Sequence, residues 1–148
     1  MNYDKRKQQL LASGLALLIV ASLVTSVSLV ATQPARAQTP INSCTTITQP
    51  GEYELTQDIT DSPDTTCIDI QADDVVLDGN GHTIDGVDAV NTVGVQSQSQ
   101  TNVTVENLTV TDWLTGISVD SSDNHTLTNI TANNNNLGIF FTNRTNNI

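Results

Sequence analysis

The stretch NVTVENLTVTDWLTGISV, residues 102–119, is answered 22 residues later by NHTLTNITANNNNLGIFF, residues 124–141. Asn102, Asn124 and Asn146 mark one phase of this interval, and Gly94, Gly116 and Gly138 mark another. A fixed period in this range is the signature of a solenoid, whose repeats bury their apolar faces only against one another. Within a repeat the apolar residues alternate in three bursts: Val103 and Val105, Leu108 and Val110, Ile117 and Val119. Period two means strands, so the pattern predicts an all-β fold with about 22 residues and three short strands per coil. Leu127, Ile130, Ile139 and Phe141 recur in the same phases, which predicts one continuous apolar column, with Thr104, Thr109, Thr126 and Thr131 facing outward. Asn107 and Asn129 fall in the bend between the first and second strands. Asn tolerates the left-handed backbone of a sharp bend, and its amide can bond the same amide one coil away, so the two are predicted to form a structural ladder.

Towards the N terminus the pattern is looser. QPGEYELTQDIT gives a Pro-Gly turn, a strand with Tyr53 and Leu55, and a short strand at Ile59; Cys67, Ile68 and Ile70 make a third. The next coil has strands at 75–77, 83–84 and 93–95, with DGNG and Asp85-Gly86 as turns. Coils are thus expected at about 50–70, 74–96, 102–119 and 124–141, with a fifth starting at Asn146. An uncapped coil exposes strand edges and core, so residues 38–148 are read as the N-terminal part of a longer solenoid domain.

Lys5, Arg6 and Lys7 precede an uncharged segment over residues 10–30, and Ala35-Arg36-Ala37 supplies a small-x-small cleavage site. This describes a secretory leader over residues 1–37, for the general export route, with mature protein starting at Gln38. The uncharged segment is also long enough, at roughly 30 Å as a helix, to be a retained anchor. The whole chain carries a net charge of −11. Beyond residue 37 the only Lys or Arg is Arg144, and every acid but Asp4 lies there. Such a surface disfavours nucleic acid and anionic lipid as partners, leaving the N-terminal segment, if uncleaved, as the membrane contact. It suits solubility in high salt and equally an ordinary acidic exported protein. Cys44 and Cys67 are the only cysteines. In an exported chain an even pair reads as a disulfide, contributing on the order of 3 kcal/mol; two buried thiols are the alternative.

PGEYELTQDIT, CIDI, VVLDGNGHTIDG and the repeated N-x-T-x-x-N with GI resemble the right-handed parallel β-helix proteins of the NosD-like, carbohydrate-binding and sugar-hydrolase group. The Asn-rich, acidic, lysine-free body is similar to exported proteins of halophilic archaea. The resemblance implies a right-handed parallel β-helix. It also implies one of several roles: a cell-surface protein, a polysaccharide lyase or hydrolase, or a periplasmic protein that helps mature a copper enzyme. Fold alone does not choose among them.

A lyase of this fold needs a cationic base beside calcium-holding carboxylates, and Arg144 is the one cation left. For a hydrolase, Asp73 and Asp74 would point to opposite faces of a strand, whereas Asp78 and Glu106 would stack roughly 5 Å apart on neighbouring coils. Acidic residues after strands are ordinarily solvated turn residues, so no catalytic residue is assigned. His82 and His125 lie on different coils and are read as filling, and no metal site is assigned. No cofactor is expected; calcium, at residues 120–123 or around Asp73, Asp74 and Asp78, is the one ion the acidic turns suggest. Five N-x-Thr sequons occur. Asn107 and Asn129 are committed to the bend, leaving Asn102, Asn124 and Asn143 as candidate N-glycosylation sites. Two functions follow as expectations. One is an exported cell-surface or extracellular module, non-catalytic, binding polysaccharide or a partner protein through outward Phe140 and Trp113. The other is the N-terminal part of a polysaccharide lyase or glycoside hydrolase whose catalytic coils lie beyond the chain end.

Overall fold

In a computed structural model, residues 37–121 and 123–142 are described. Residues 1–36, all but the last residue of the segment expected to be a leader or anchor, and Asn143, Arg144 and Asn146 lie outside them. The described residues form eleven strands and no helix: β1 (Thr39–Ile41), β2 (Thr45–Ile47), β3 (Gly51–Leu55), β4 (Thr66–Ile70), β5 (Val75–Asp78), β6 (Thr83–Asp85), β7 (Val93–Gln98), β8 (Thr104–Thr111), β9 (Thr115–Asp120), β10 (Thr126–Asn133) and β11 (Leu137–Thr142). They stack in parallel as a β-solenoid of about four turns. One sheet runs β1-β3-β5-β8-β10, with β6 also on β8; the other runs β2-β4-β7-β9-β11.

The interval of 22 residues reappears as register. Thr104 pairs with Thr126, Leu108 with Ile130 and Ile117 with Ile139. Alternation along each strand sends Leu77, Val105, Leu108, Val110, Ile117 and Val119 into one core between the sheets, each nearly inaccessible to solvent. The expected first and second strands of coil three are a single ladder in β8, bent in the middle at Asn107. Ile59 joins its neighbour Ile84 by a lone bridge rather than a strand.

The corners explain the Asn content. Left-handed backbone recurs in columns: Asp74, Asn102 and Asn124 at φ 55, 57 and 56°; Asn107 and Asn129 at 53 and 52°; Asp112 and Asn134 at 61 and 53°; Ser99 and Ser121 at 63 and 50°. A β-carbon ordinarily opposes this conformation, and Asn and Asp pay least because their side chains bond the local backbone. Asn102 and Asn124 are therefore as constrained in φ as the bend pair Asn107 and Asn129.

Three placements differ from expectation. β1 and β2 form a partial coil beneath β3 and β4 that the sequence pattern did not reveal, since three-residue strands carry too few alternations to show a period. Asp73 and Asp74 sit in a corner before β5 rather than on a strand. Trp113 is not an outward sugar-stacking group. It is 1 % exposed, and its indole Nε1 donates to the Ile84 carbonyl at 3.2 Å, because the left-handed Asp112 turns the next residue inward. Cys44 and Cys67 are disulfide-bonded, tying the β1–β2 connection to buried β4.

Candidate functional site

The solenoid presents two chemically different strand surfaces. On the first sheet, Glu54, Asp78 and Glu106 stand in register on neighbouring strands, with Thr128 next in line. Asp78 and Glu106 thus lie side by side, about one strand spacing or 4.8 Å apart along the sheet. Asp78 is nevertheless committed to the corner: its Oδ1 accepts from the Asn80 backbone at 2.8 Å and from the Asn107 amide at 3.1 Å. Asn107 in turn accepts from the Asn129 amide at 2.9 Å, and Asn80 donates to Glu54 at 2.7 Å. A carboxylate that already accepts two hydrogen bonds beside a left-handed bend is a corner brace.

The second sheet is milder. Thr46, Asp69, Gln96, Ser118 and Phe140 form one outward row in continuous register across all five strands. Gln98, Asp120 and Thr142 form a parallel row two residues on. Asp69 accepts from Gln71, and Asp120 accepts from Gln98, Ser121 and Thr142, so both carboxylates are held by neighbouring amides or hydroxyls. Phe140 closes the first row at 43 % exposure. The result is a strip of hydroxyls and amides with one carboxylate in each row, Asp69 and Asp120, and an aromatic ring at one end. Gln96, Ser118 and Phe140 are themselves spaced by 22, so this row was readable from the period, although the amide and hydroxyl chemistry gave no motif to look for.

Among the described residues no Lys or Arg occurs, and no group of three or more His, Cys, Asp or Glu is arranged to hold a metal ion. Carboxylates of the acidic turns considered for calcium accept hydrogen bonds from neighbouring backbone or side-chain groups. Asp73 accepts from the Thr101 amide at 2.7 Å and Asp74 from the Asn102 side chain at 2.6 Å. His82 donates through Nδ1 to Asp58 at 3.0 Å. The Thr83 amide, 2.9 Å from the same carboxylate, and then His82 hold Asp58 below the ordinary carboxylate range. His125 is buried; its Nδ1 bonds the Asp123 carbonyl at 3.1 Å, which leaves Nε2 to accept from the Ser97 hydroxyl at 2.9 Å. Burial pushes the His125 pKa down. Asp85 is pushed up, first by desolvation and then by the neighbouring Asp112, against a backbone hydrogen bond from Asp61 that lowers it.

Asn102 is exposed, but the amide nitrogen that would carry a glycan is bonded to Asp74. Asn124 is exposed in the same corner column, and Asn143 lies outside the described residues. No family model, curated protein or solved structure matches this chain.

Proposed function

We propose that this chain is a non-catalytic binding module, exported to the cell surface or medium, whose ligand is a neutral polysaccharide lying along the Thr46–Asp69–Gln96–Ser118–Phe140 row. The observation that carries the reading is that row: hydroxyl, carboxylate and amide side chains, one per coil in register, ending in a half-exposed ring. Sugar hydroxyls are hydrogen-bonded by such groups, and a pyranose face stacks on an aromatic ring. The absence of Lys and Arg across the described residues disfavours a polyanion. Export is supported by the Cys44–Cys67 disulfide, a bond that persists in oxidising compartments. The resemblance to NosD-like and carbohydrate-binding β-helices points the same way. The lyase or hydrolase alternative has no comparable support, because Asp78 braces a corner.

The test is affinity electrophoresis and calorimetry against a panel of neutral and anionic polysaccharides. Binding to a neutral member is expected, weakened about tenfold by Phe140→Ala, since aromatic stacking contributes roughly 1 kcal/mol. Binding confined to anionic polymers, or indifferent to Phe140→Ala and Ser118→Ala together, would remove the assignment. Chain cleavage abolished by Glu106→Gln would replace it with the enzymatic reading.

A further inference from the structure

The corner between β5 and β6 sets a chemical hazard inside a structural need. The chain turns through Gly79-Asn80-Gly81-His82, closed by the His82 amide donating to the Gly79 carbonyl at 2.8 Å. Its two middle residues are both left-handed, Asn80 at φ 51° and Gly81 at φ 79°. Such a pair calls for Asn followed by Gly, because Asn bears positive φ at little cost and Gly at none. Asn-Gly is also the dipeptide in which an asparagine loses its amide most readily, since no side chain on the second residue shields its nitrogen. Of the asparagines in the chain, Asn80 alone is followed by Gly. Both residues are exposed, and a β-carbon on Gly81 would meet nothing within 4 Å, so water reaches the turn.

The fold nevertheless holds every group that the loss of the amide must move. The Gly81 nitrogen, which would attack, donates to the Asn107 carbonyl at 2.8 Å. The Asn80 side-chain nitrogen, which would leave, donates to Glu54 at 2.7 Å, and the Asn80 backbone donates to Asp78 at 2.8 Å. Attack requires the Gly81 nitrogen to turn from Asn107 towards the Asn80 side chain, so the turn must first open from β8.

We propose that Asn80 is a latent site of spontaneous deamidation, closed while Gly81 is bonded to Asn107 and Asn80 to Glu54, and that its conversion weakens this corner. On opening, the Gly81 nitrogen forms a bond to Asn80 Cγ, the bond from Cγ to Nδ2 breaks, and ammonia leaves with the proton that Gly81 gives up. Water then adds to one of the two carbonyls of the cyclic imide. Addition at Cγ yields aspartate, and addition at the main-chain carbonyl yields isoaspartate. Either product exchanges the donor to Glu54 for a carboxylate. That charge arrives beside the in-register row of Glu54, Asp78 and Glu106, with no Lys or Arg among the described residues to offset it. Isoaspartate also lengthens the backbone between Gly79 and His82, whose hydrogen bond fixes the turn. This chemistry is independent of the polysaccharide row, which lies on the other sheet.

Incubating the full chain at mildly alkaline pH, folded and in urea, and following the peptide that contains Asn80 by mass spectrometry tests this. Conversion to aspartate and isoaspartate should be about tenfold or more slower in the folded protein, and in urea Asn80 should convert before any other asparagine. Glu54→Ala, which frees the side-chain amide, should speed conversion of the folded protein severalfold, whereas Glu54→Gln, which keeps an acceptor, should leave it near the wild-type rate. Asn80→Asp should raise the unfolding equilibrium constant by about fivefold or more. Should that variant fail to fold, the converted fraction of aged wild-type protein, separated by its added charge, makes the same comparison. Equal rates folded and in urea would overturn the proposal. So would slower conversion in Glu54→Ala, because Glu54 would then be assisting the departure of ammonia. Converted protein as stable as the unconverted would overturn it too, since the corner would then tolerate the carboxylate.

Discussion

β8 and β10 are the same strand by pattern and register, and they differ in what lies above them. In β8, Leu108 and Val110 are 2 % and 0 % exposed; their partners one coil on, Ile130 and Ala132, are only half-buried, and none of the eight residues of β10 is fully buried. The strands turn at the same phase, at Asn107 and Asn129, with φ of 53 and 52°. Local conformation is therefore fixed by the repeat, whereas burial is conferred by the next coil. A solenoid separates these two contributions more cleanly than a globular core does, because each coil touches only its neighbours.

The sharpest way to break this comparison is truncation at equivalent positions. Leu108→Ala should cost about 2–5 kcal/mol, the range for a buried aliphatic, and Ile130→Ala about 1 kcal/mol in dilute protein, because its side chain has buried only part of its surface. Chemical denaturation of the two variants measures both. Equal losses would mean that coil four is covered in solution.

A smaller effect is expected at the corners. Asn129→Ala and Asn124→Ala both place a β-carbon at left-handed φ without a side-chain amide, so each should cost about 1–2 kcal/mol. Asn129 also loses its hydrogen bond to Asn107, adding about 0.5–1.5 kcal/mol. Melting of unglycosylated protein compares them. A large gap, with Asn124→Ala harmless, would show that its left-handed corner relaxes without the asparagine.

The smallest effect sits among the acids. Asp85 has a folded pKa above its ordinary value of 3.8, chiefly from desolvation, with Asp112 adding repulsion. Between its unfolded and folded pKa values the folded state holds more protons, so stability falls as pH rises through that window and the full cost is present at neutral pH. Asp85→Asn should therefore stabilise by about 0.2–1 kcal/mol at pH 7, the scale of partly exposed charge pairs, and the gain should vanish below the unfolded pKa. Denaturation of both proteins at neutral and acid pH reads the difference. A gain that persists in acid would trace it to packing instead of charge.

Much of this molecule is legible along the chain. The spacing of Asn102 and Asn124, the triple burst of alternating aliphatics and the lone cysteine pair determine the coil, its bends and the bond between Cys44 and Cys67, because backbone conformation and side-chain period are local properties. Tertiary structure alone decided the rest. Trp113 went inside because one left-handed residue redirects the chain towards Ile84, 29 residues away. The partial coil of β1 and β2 exists because β3 and β4 offer it edges to pair with. The Asp85 carboxyl is pushed above its ordinary range because stacking desolvates it and brings the Asp112 carboxylate beside it. Each of these depends on which residue sits one coil above or below, and that distance is measured through space, where the period of the sequence says which phases meet but not how deeply they are buried when they do.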